Sequence, residues 1–176
     1  MLTGPRLQLR PLEAQDRAAF RRILGDPAVH GSLRLDCDPT DGAALDALFE
    51  ERRAETIGGR PSRFAVLKED GRFVGCIGAY AIARTAIGLS YWIDAGCHGR
   101  GHGREAIGIF SEWALKAYRR SRIQANVGAL NKASIAALRA AGFREVEAAE
   151  DPVFGKATDR LFFVWPSEPR RPGDGS

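Results

Sequence analysis

Apolar positions along this chain repeat with two different periods, and the changes between them divide it into elements. Arg6-Leu7-Gln8-Leu9-Arg10 alternates polar and apolar side chains, the mark of a strand with one buried face, and Pro11 stops it. From Glu13 to Leu24 the residues Ala19, Phe20, Ile23 and Leu24 fall on one helical face, and Gly25 closes that helix. Asp26-Pro27 signals a turn, and residues 28–39 read as irregular. Thr40 or Asp41 caps a second helix that carries Leu45, Leu48 and Phe49 toward Ile57 and ends at Gly58-Gly59. Arg63–Lys68, the turn Glu69-Asp70-Gly71 and Phe73–Ala81 form a hairpin, and Ile87–Asp94 extends it into an antiparallel meander.

A helix from about Gly103 to Tyr118 follows, with an apolar stripe of Ala106, Ile109, Phe110, Trp113, Ala114 and Ala117. The strand Ile123–Val127 is expected beside Ser90–Asp94 in parallel sense, because a helix crosses between them. Asn131 caps another helix, with Ile135 and Leu138 on its buried face and Gly142 just past its end. Phe143–Ala148 and Arg160–Val164 make a last antiparallel pair, joined by a polar loop with Asp151, Pro152 and Gly155. The pattern predicts an α/β protein with a mixed, mostly antiparallel sheet flanked by helices. Residues 1–165 read as a single domain, and 166–176 as a tail disordered by its Pro, Arg and Gly content.

Composition narrows the class. The chain has 176 residues, 44% hydrophobic and 27% charged, which is ordinary for a globular domain. Its net charge of +4 comes from basic residues that are spread rather than run together, so no nucleic-acid or membrane partner is expected. Cys37, Cys76 and Cys97 are far apart and show no metal-ligand spacing; a reduced, cytoplasmic setting without a metal is the expectation. No signal segment and no apolar stretch of about 18 residues is present in the sequence.

The chemistry concentrates in Ile93-Asp94-Ala95-Gly96-Cys97-His98-Gly99-Arg100-Gly101-His102-Gly103-Arg104-Glu105-Ala106. This stretch leaves a strand, passes through four glycines in eight residues and enters a helix. Backbone N–H groups at such a helix start have no intrahelical partner and sit at the positive end of the helix dipole, so the loop suits a phosphate or pyrophosphate. Arg100 and Arg104 add charge. A dinucleotide fingerprint fits Gly101-His102-Gly103-Arg104-Glu105-Ala106, but the acidic residue expected about 20 positions later is replaced by the basic run Arg119-Arg120-Ser121-Arg122. A Walker loop fails, since no Gly-Lys-Ser/Thr follows. A plain glycine turn remains the bland alternative.

His98-Gly99-Arg100-Gly101-His102-Gly103 also resembles the Gln/Arg-x-x-Gly-x-Gly/Ala pyrophosphate loop of the GNAT N-acetyltransferases. Leu89-Ser90-Tyr91-Trp92-Ile93 ahead of it is similar to the Gly-Tyr-Trp strand of the RimJ/RimL-type branch. Asn131-Lys132-Ala133-Ser134 and Ala141-Gly142-Phe143 resemble that branch's Asn-x-x-Ser helix and its Gly-Phe end, and Leu7-Gln8-Leu9-Arg10-Pro11-Leu12 looks like its first strand. The resemblance runs in consistent order from Arg6 to Trp165.

It implies the GNAT fold, with the sheet splayed at its centre, and an acetyltransferase that uses acetyl-CoA as co-substrate and a primary amine as acceptor, either a protein N-terminus or a small molecule. By the same resemblance, His98, Gly99, Arg100, Gly101, His102, Gly103 and Arg104 hold the cofactor's diphosphate, Ile93 bonds its pantetheine arm through the backbone, and Asn131 contacts it through the side-chain amide. A backbone N–H in Leu89–Ile93 is expected to face the thioester oxygen. Many relatives carry a Tyr at the slot of Leu138 as proton donor to sulfur; here Ser134 is the candidate, and its alternative role is a first-turn cap. The Glu that often precedes the Gly-Tyr-Trp strand is Gly88 here, which leaves Tyr91, Asp94 and Glu105 nearby in sequence or a water chain to take the amine's proton. Residues 28–38 are candidates for acceptor contacts. A non-catalytic acyl-CoA-binding module is the alternative function, and the C-terminal edge strand is a candidate for pairing in a homodimer.

Overall fold

The computed structural model describes residues 1–147 and 159–166. Ten strands and five helices follow in order: β1 Leu2–Thr3, β2 Leu7–Pro11, α1 Arg17–Leu24, α2 Pro27–His30, α3 Gly42–Ala54, β3 Thr56–Ile57, β4 Arg60–Pro61, β5 Arg63–Lys68, β6 Phe73–Ile82, β7 Ala86–Ile93, α4 His102–Tyr118, β8 Arg122–Gly128, α5 Lys132–Ala140, β9 Arg144–Val146 and β10 Arg160–Trp165. Eight strands form one sheet in the order β1-β2-β5-β6-β7-β8-β10-β9, and β3 and β4 form a separate small hairpin. The β7–β8 pair is parallel, and the other neighbours are antiparallel.

Strand alternation divides the side chains between two layers. Phe64 and Val66 of β5, Ile87, Leu89 and Ile93 of β7, and Ile123, Ala125 and Val127 of β8 pack under α4 and α5 with Phe110, Ala114 and Leu138. Ala65, Leu67, Cys76 and Trp92 point to the other face and meet α1 and α3. Phe20 of α1 sits there edge-on to both Phe49 and Trp92, with ring centroids 5.2 Å apart in each case.

Several boundaries differ from the pattern-based reading. The first helical segment is a 3-10 turn at Ala14–Asp16 followed by α1. Asp26-Pro27 opens the short α2 rather than only a turn: the Asp26 carboxylate accepts from Ala28 N–H at 2.9 Å, and Pro27 stands at the first helical position. α3 is capped by Asp41 and stops at Ala54. Gly58 and Gly59, with φ of 60° and 73°, form the tip of the β3–β4 hairpin instead of a helix stop. The Ala148 end of the strand after Phe143, the loop with Asp151, Pro152 and Gly155, and the tail beyond Pro166 lie outside the described residues. No helix among the described residues is long and apolar enough to cross a membrane.

Candidate active site

The parallel pair that organises the site is short. β7 and β8 are paired from Ala86↔Arg122 only to Leu89↔Ala125. Beyond that point Ser90–Ile93 remains paired with β6 and Asn126–Gly128 with β10, so the two strands part. The expected parallel sense holds, but the pairing precedes Ser90–Asp94 rather than running along it. Asp94 donates its backbone N–H to Val74 O at 2.8 Å on the β6 side. Alternation along an antiparallel strand therefore turns the N–H and C=O of Tyr91 and Ile93 toward the gap.

At the end of β7 the chain enters the glycine loop. The Asp94 carboxylate accepts from Gly96 N–H at 2.9 Å and starts a 3-10 turn, Ala95–Cys97. Its other oxygen meets Arg22 at 3.3 Å, so Asp94 shapes the turn. Gly99 and Gly101 hold φ of 70° and 79°, in the left-handed region that excludes most side chains. The first intrahelical bond of α4 runs from Glu105 N–H to Gly101 O, and no side chain caps the helix. The N–H groups of His102, Gly103 and Arg104 are thus presented at the loop without an intrahelical acceptor.

Arg6 braces this arrangement, a role with no local signal because its partners lie more than ninety positions away. It donates from Nη1 to the Arg100 carbonyl and from Nε to Glu105 Oε2, both at 2.8 Å. Glu105 Oε1 also accepts from the backbone N–H groups of Arg6 at 2.7 Å and Leu7 at 3.0 Å. Glu105 therefore fastens α4 to β2 and is committed to structure. The His98 ring bonds the Ile93 carbonyl through Nε2 at 2.9 Å, and the buried His102 ring bonds the Cys97 carbonyl through Nδ1 at 3.2 Å. Both histidines fix the loop with their rings; the His98 N–H is itself used, donating to the Ala95 carbonyl at 3.1 Å, while that of His102 has no intrahelical acceptor. His30, by contrast, bonds the Leu24 carbonyl.

A cleft of about 870 Å³ runs through the gap between the parted strands, a size typical of cofactor and substrate sites. Its α4–α5 side is lined by His98, Gly99, Gly101, His102, Gly103 and Arg104, and by Ile93, Tyr91, Asn131 and Ser134. Arg100 stands apart: it is exposed and is not among the lining residues. Asn131 caps α5 by accepting from Ser134 N–H at 3.0 Å, which leaves its amide NH₂ to donate into the cleft. The Tyr91 hydroxyl lies 2.7 Å from Ser134 Oγ, so the two candidates for proton transfer are brought together. Burial pushes the Tyr91 hydroxyl up to about 12, and its bond to Ser134 offsets part of that rise. The buried Leu138 lines the cleft one turn further on.

The opposite face of the sheet supplies the other end of the cleft. Arg63, Tyr80, Ser90, Asn126 and Arg160 line it from the strands, and Arg52 and Asp36 from α3 and the α2–α3 connection. Segment 28–36 contributes Val29, Leu33 and Arg34 to the same wall. At Gly88 a Cβ would fall 2.6 to 2.9 Å from the Tyr80 ring, so that ring occupies the space a side chain at this position would need. No cluster of metal-ligating side chains occurs among the described residues.

An open parallel pair, uncapped helix amides in a glycine loop and a polar pair inside the gap define a cleft suited to a long, anionic acyl carrier. The profile of the Acetyltransferase (GNAT) domain matches residues 6–144, and the chain belongs to that family. It is an acyltransferase of a family whose acyl donor is acetyl-CoA. Solved structures agree in fold. An acetyltransferase (GNAT family) from Bacillus anthracis superposes with a TM-score of 0.74 at 16% identity, covering 93% of this chain and 96% of that one. RimJ of Mycobacterium smegmatis, in complex with CoA-disulfide, gives 0.68 at 24% identity, with 92% and 85% covered. The microcin C7 self-immunity acetyltransferase MccE, in complex with acetyl-CoA and AMP, gives 0.73 at 14% identity, with 92% of each chain covered. No curated protein matches the chain by sequence.

Proposed function

We propose that this protein transfers the acetyl group of acetyl-CoA to a primary amine by direct attack, as an enzyme of the RimJ/RimL-type branch acting on a protein N-terminal amine or a small-molecule amine. The observation that carries the proposal is the gap beyond Leu89↔Ala125, which ends at the uncapped start of α4 and contains the Tyr91–Ser134 pair.

The backbone of His98–Arg104, the Arg104 side chain and the amide of Asn131 would hold the cofactor's diphosphate and the adjoining arm. The N–H groups of Tyr91 and Ile93 would donate to a pantetheine amide carbonyl and to the thioester oxygen; removing one such donor typically raises a barrier by about 2.7–4 kcal/mol. Bound acetyl-CoA supplies an acetyl group activated on sulfur. Ser134 Oγ, oriented by Tyr91, hydrogen-bonds the departing sulfur and relays a proton to it, and solvent reprotonates the serine in the same step. Tyr91 keeps its own proton at neutral pH and so positions Ser134 rather than acting as a base. Asp94 and Glu105 are occupied in the loop, and Asp36 is the carboxylate on the cleft wall able to take the amine's proton, directly or through water. An α-amine, with a pKa near 8, needs little help of that kind.

The test mixes the protein with acetyl-CoA and a panel of amines and follows free thiol. Thiol release that depends on both protein and amine supports the proposal. Tight CoA binding without release for any amine would instead mark a binding module.

A further inference from the structure

The strand-side wall of the cleft holds a cation with no carboxylate partner among the described residues. Arg160 opens β10, on the face of the sheet opposite α4 and α5. Its Nε donates to Asn126 Oδ1 at 3.1 Å and its Nη2 to the Asn126 carbonyl at 3.0 Å. Asn126 is the first β8 residue beyond the parallel pairing, so this guanidinium is clamped at the place where the strands part. Both partners are neutral, and among the described residues no carboxylate lies within ion-pair distance of Arg160. A partly buried guanidinium held this way keeps its charge, and its Nη1 hydrogens remain available to a further acceptor.

A second cation stands beside it. Arg34, from the α2–α3 connection, lines the same wall; burial, and after it the charge of Arg34, holds the Arg160 guanidinium below its usual range, with the Asp159 charge partly opposing them. Arg34 pairs with Asp159 at 2.9 Å, but both side chains are about two-thirds exposed, and Asp159 is not among the cleft-lining residues. Such an exposed pair is worth little and can be exchanged for another anion. The buried Arg63 lines the cleft as well, fixed by Glu55 at 2.8 Å and Ser90 at 2.7 Å. With Arg34, Arg52, Arg63 and Arg160 lining the cleft against the carboxylate of Asp36, this wall carries a net positive charge, which disfavours polycations and favours anions.

Resting on the acetyltransferase reading, we propose that the acceptor is a small amine that carries its own anionic group, a carboxylate or a phosphate, and that Arg160 and Arg34 bind that group. The guanidinium fork of Arg160 fits either oxyanion.

The test compares kcat/KM at fixed acetyl-CoA for ethanolamine, β-alanine, phosphoethanolamine and spermidine. One or both anionic amines should exceed ethanolamine by about 10- to 100-fold, the range of one charge-assisted hydrogen bond, and spermidine should be the poorest. Which of the two leads tells carboxylate from phosphate. In Arg160→Gln that advantage should collapse mainly through KM, with acetyl-CoA affinity measured without amine retained, and Arg160→Lys should restore part of it. Arg34→Gln, at an exposed site, serves if Arg160→Gln does not fold, and Arg72→Gln is the surface-charge control. Equal rates for all amines, or spermidine as the best, overturns the proposal while the acetyltransferase reading stands. Should no amine turn over, calorimetry with phosphoethanolamine and β-alanine on the CoA-loaded protein decides, and absence of binding overturns it. Failure to bind CoA at all removes both readings.

Discussion

The glycines of the loop are not equivalent, and replacing two of them by alanine should move affinity and stability in different directions. Gly101 has φ of 79°, and a Cβ there would lie 3.1 Å from Arg6 Nη2. A non-glycine residue in left-handed backbone costs roughly 1–2 kcal/mol. The same methyl pushes on the guanidinium that holds the Arg100 carbonyl, so the loop and the start of α4 shift together. For a domain of this size the backbone term alone lowers Tm by about 2–8 °C. The displaced amides lose at least one charge-assisted hydrogen bond to a bound phosphate, which weakens CoA binding about 10-fold or more. Gly103 is different. Its φ is not positive, and a Cβ would make ordinary contacts with Ala137 Cβ and Tyr91 Cε2 at 3.7 Å and with Ile93 Cγ1 at 3.9 Å. Gly103→Ala should therefore keep CoA affinity within about threefold and match or raise Tm, since alanine orders a helix at up to about 1 kcal/mol less than glycine. Calorimetric titration with CoA and a thermal melt measure both quantities on each variant. Parent-like affinity in Gly101→Ala would refute the assignment of the loop.

Three further outcomes follow from other parts of the site. Ser134→Ala should lower kcat by about 10²-fold, the smaller end of the general-acid range, while leaving the KM for acetyl-CoA near the parent value; a merely capping serine would leave kcat untouched. The Tyr91 and Tyr80 hydroxyls are pushed up to about 12 by burial, so their neutral forms stabilise the fold fully below pH of about 10, and that stability is lost as pH rises from 10 through 12. Tyrosinate absorbance should lag free tyrosine across that window, and Tyr91→Phe should remove one of the late-titrating groups. Glu105→Gln leaves a weaker acceptor for two backbone N–H groups and removes the partner of Arg6, so a denaturant melt should show a loss of about 1–3 kcal/mol.

The periodic elements were legible because their buried faces are apolar. The stripe from Ala106 to Ala114 and the alternation in Ile123–Val127 each have one solution for which side goes inward, whereas the apolar run Phe64–Leu67 is covered on both faces. The glycine loop was legible because positive φ and uncapped amides require glycine at particular spacings. The β3–β4 hairpin was missed although its signal, two glycines between short β-prone runs, was present: an apolar helix ending just before them made a helix stop the simpler reading. The braces were not legible. Arg6 meets Glu105, Tyr80 covers Gly88 and Arg160 meets Asn126 only after the sheet has formed, and nothing in the local sequence around Arg6, Tyr80 or Arg160 distinguishes them from other surface or strand residues. The sequence placed Tyr91 and Ser134 on separate elements forty-three positions apart, and their 2.7 Å approach follows from packing α5 over the parted strands.

The central claim is that CoA enters between Ser90–Ile93 and Asn126–Gly128 with its diphosphate on the amides of the loop. Diffraction from crystals grown with CoA tests it directly. The account predicts pantetheine density running between the two strands and a diphosphate at the N–H groups of His102, Gly103 and Arg104. A diphosphate bound elsewhere, with the gap between the strands empty, would contradict it.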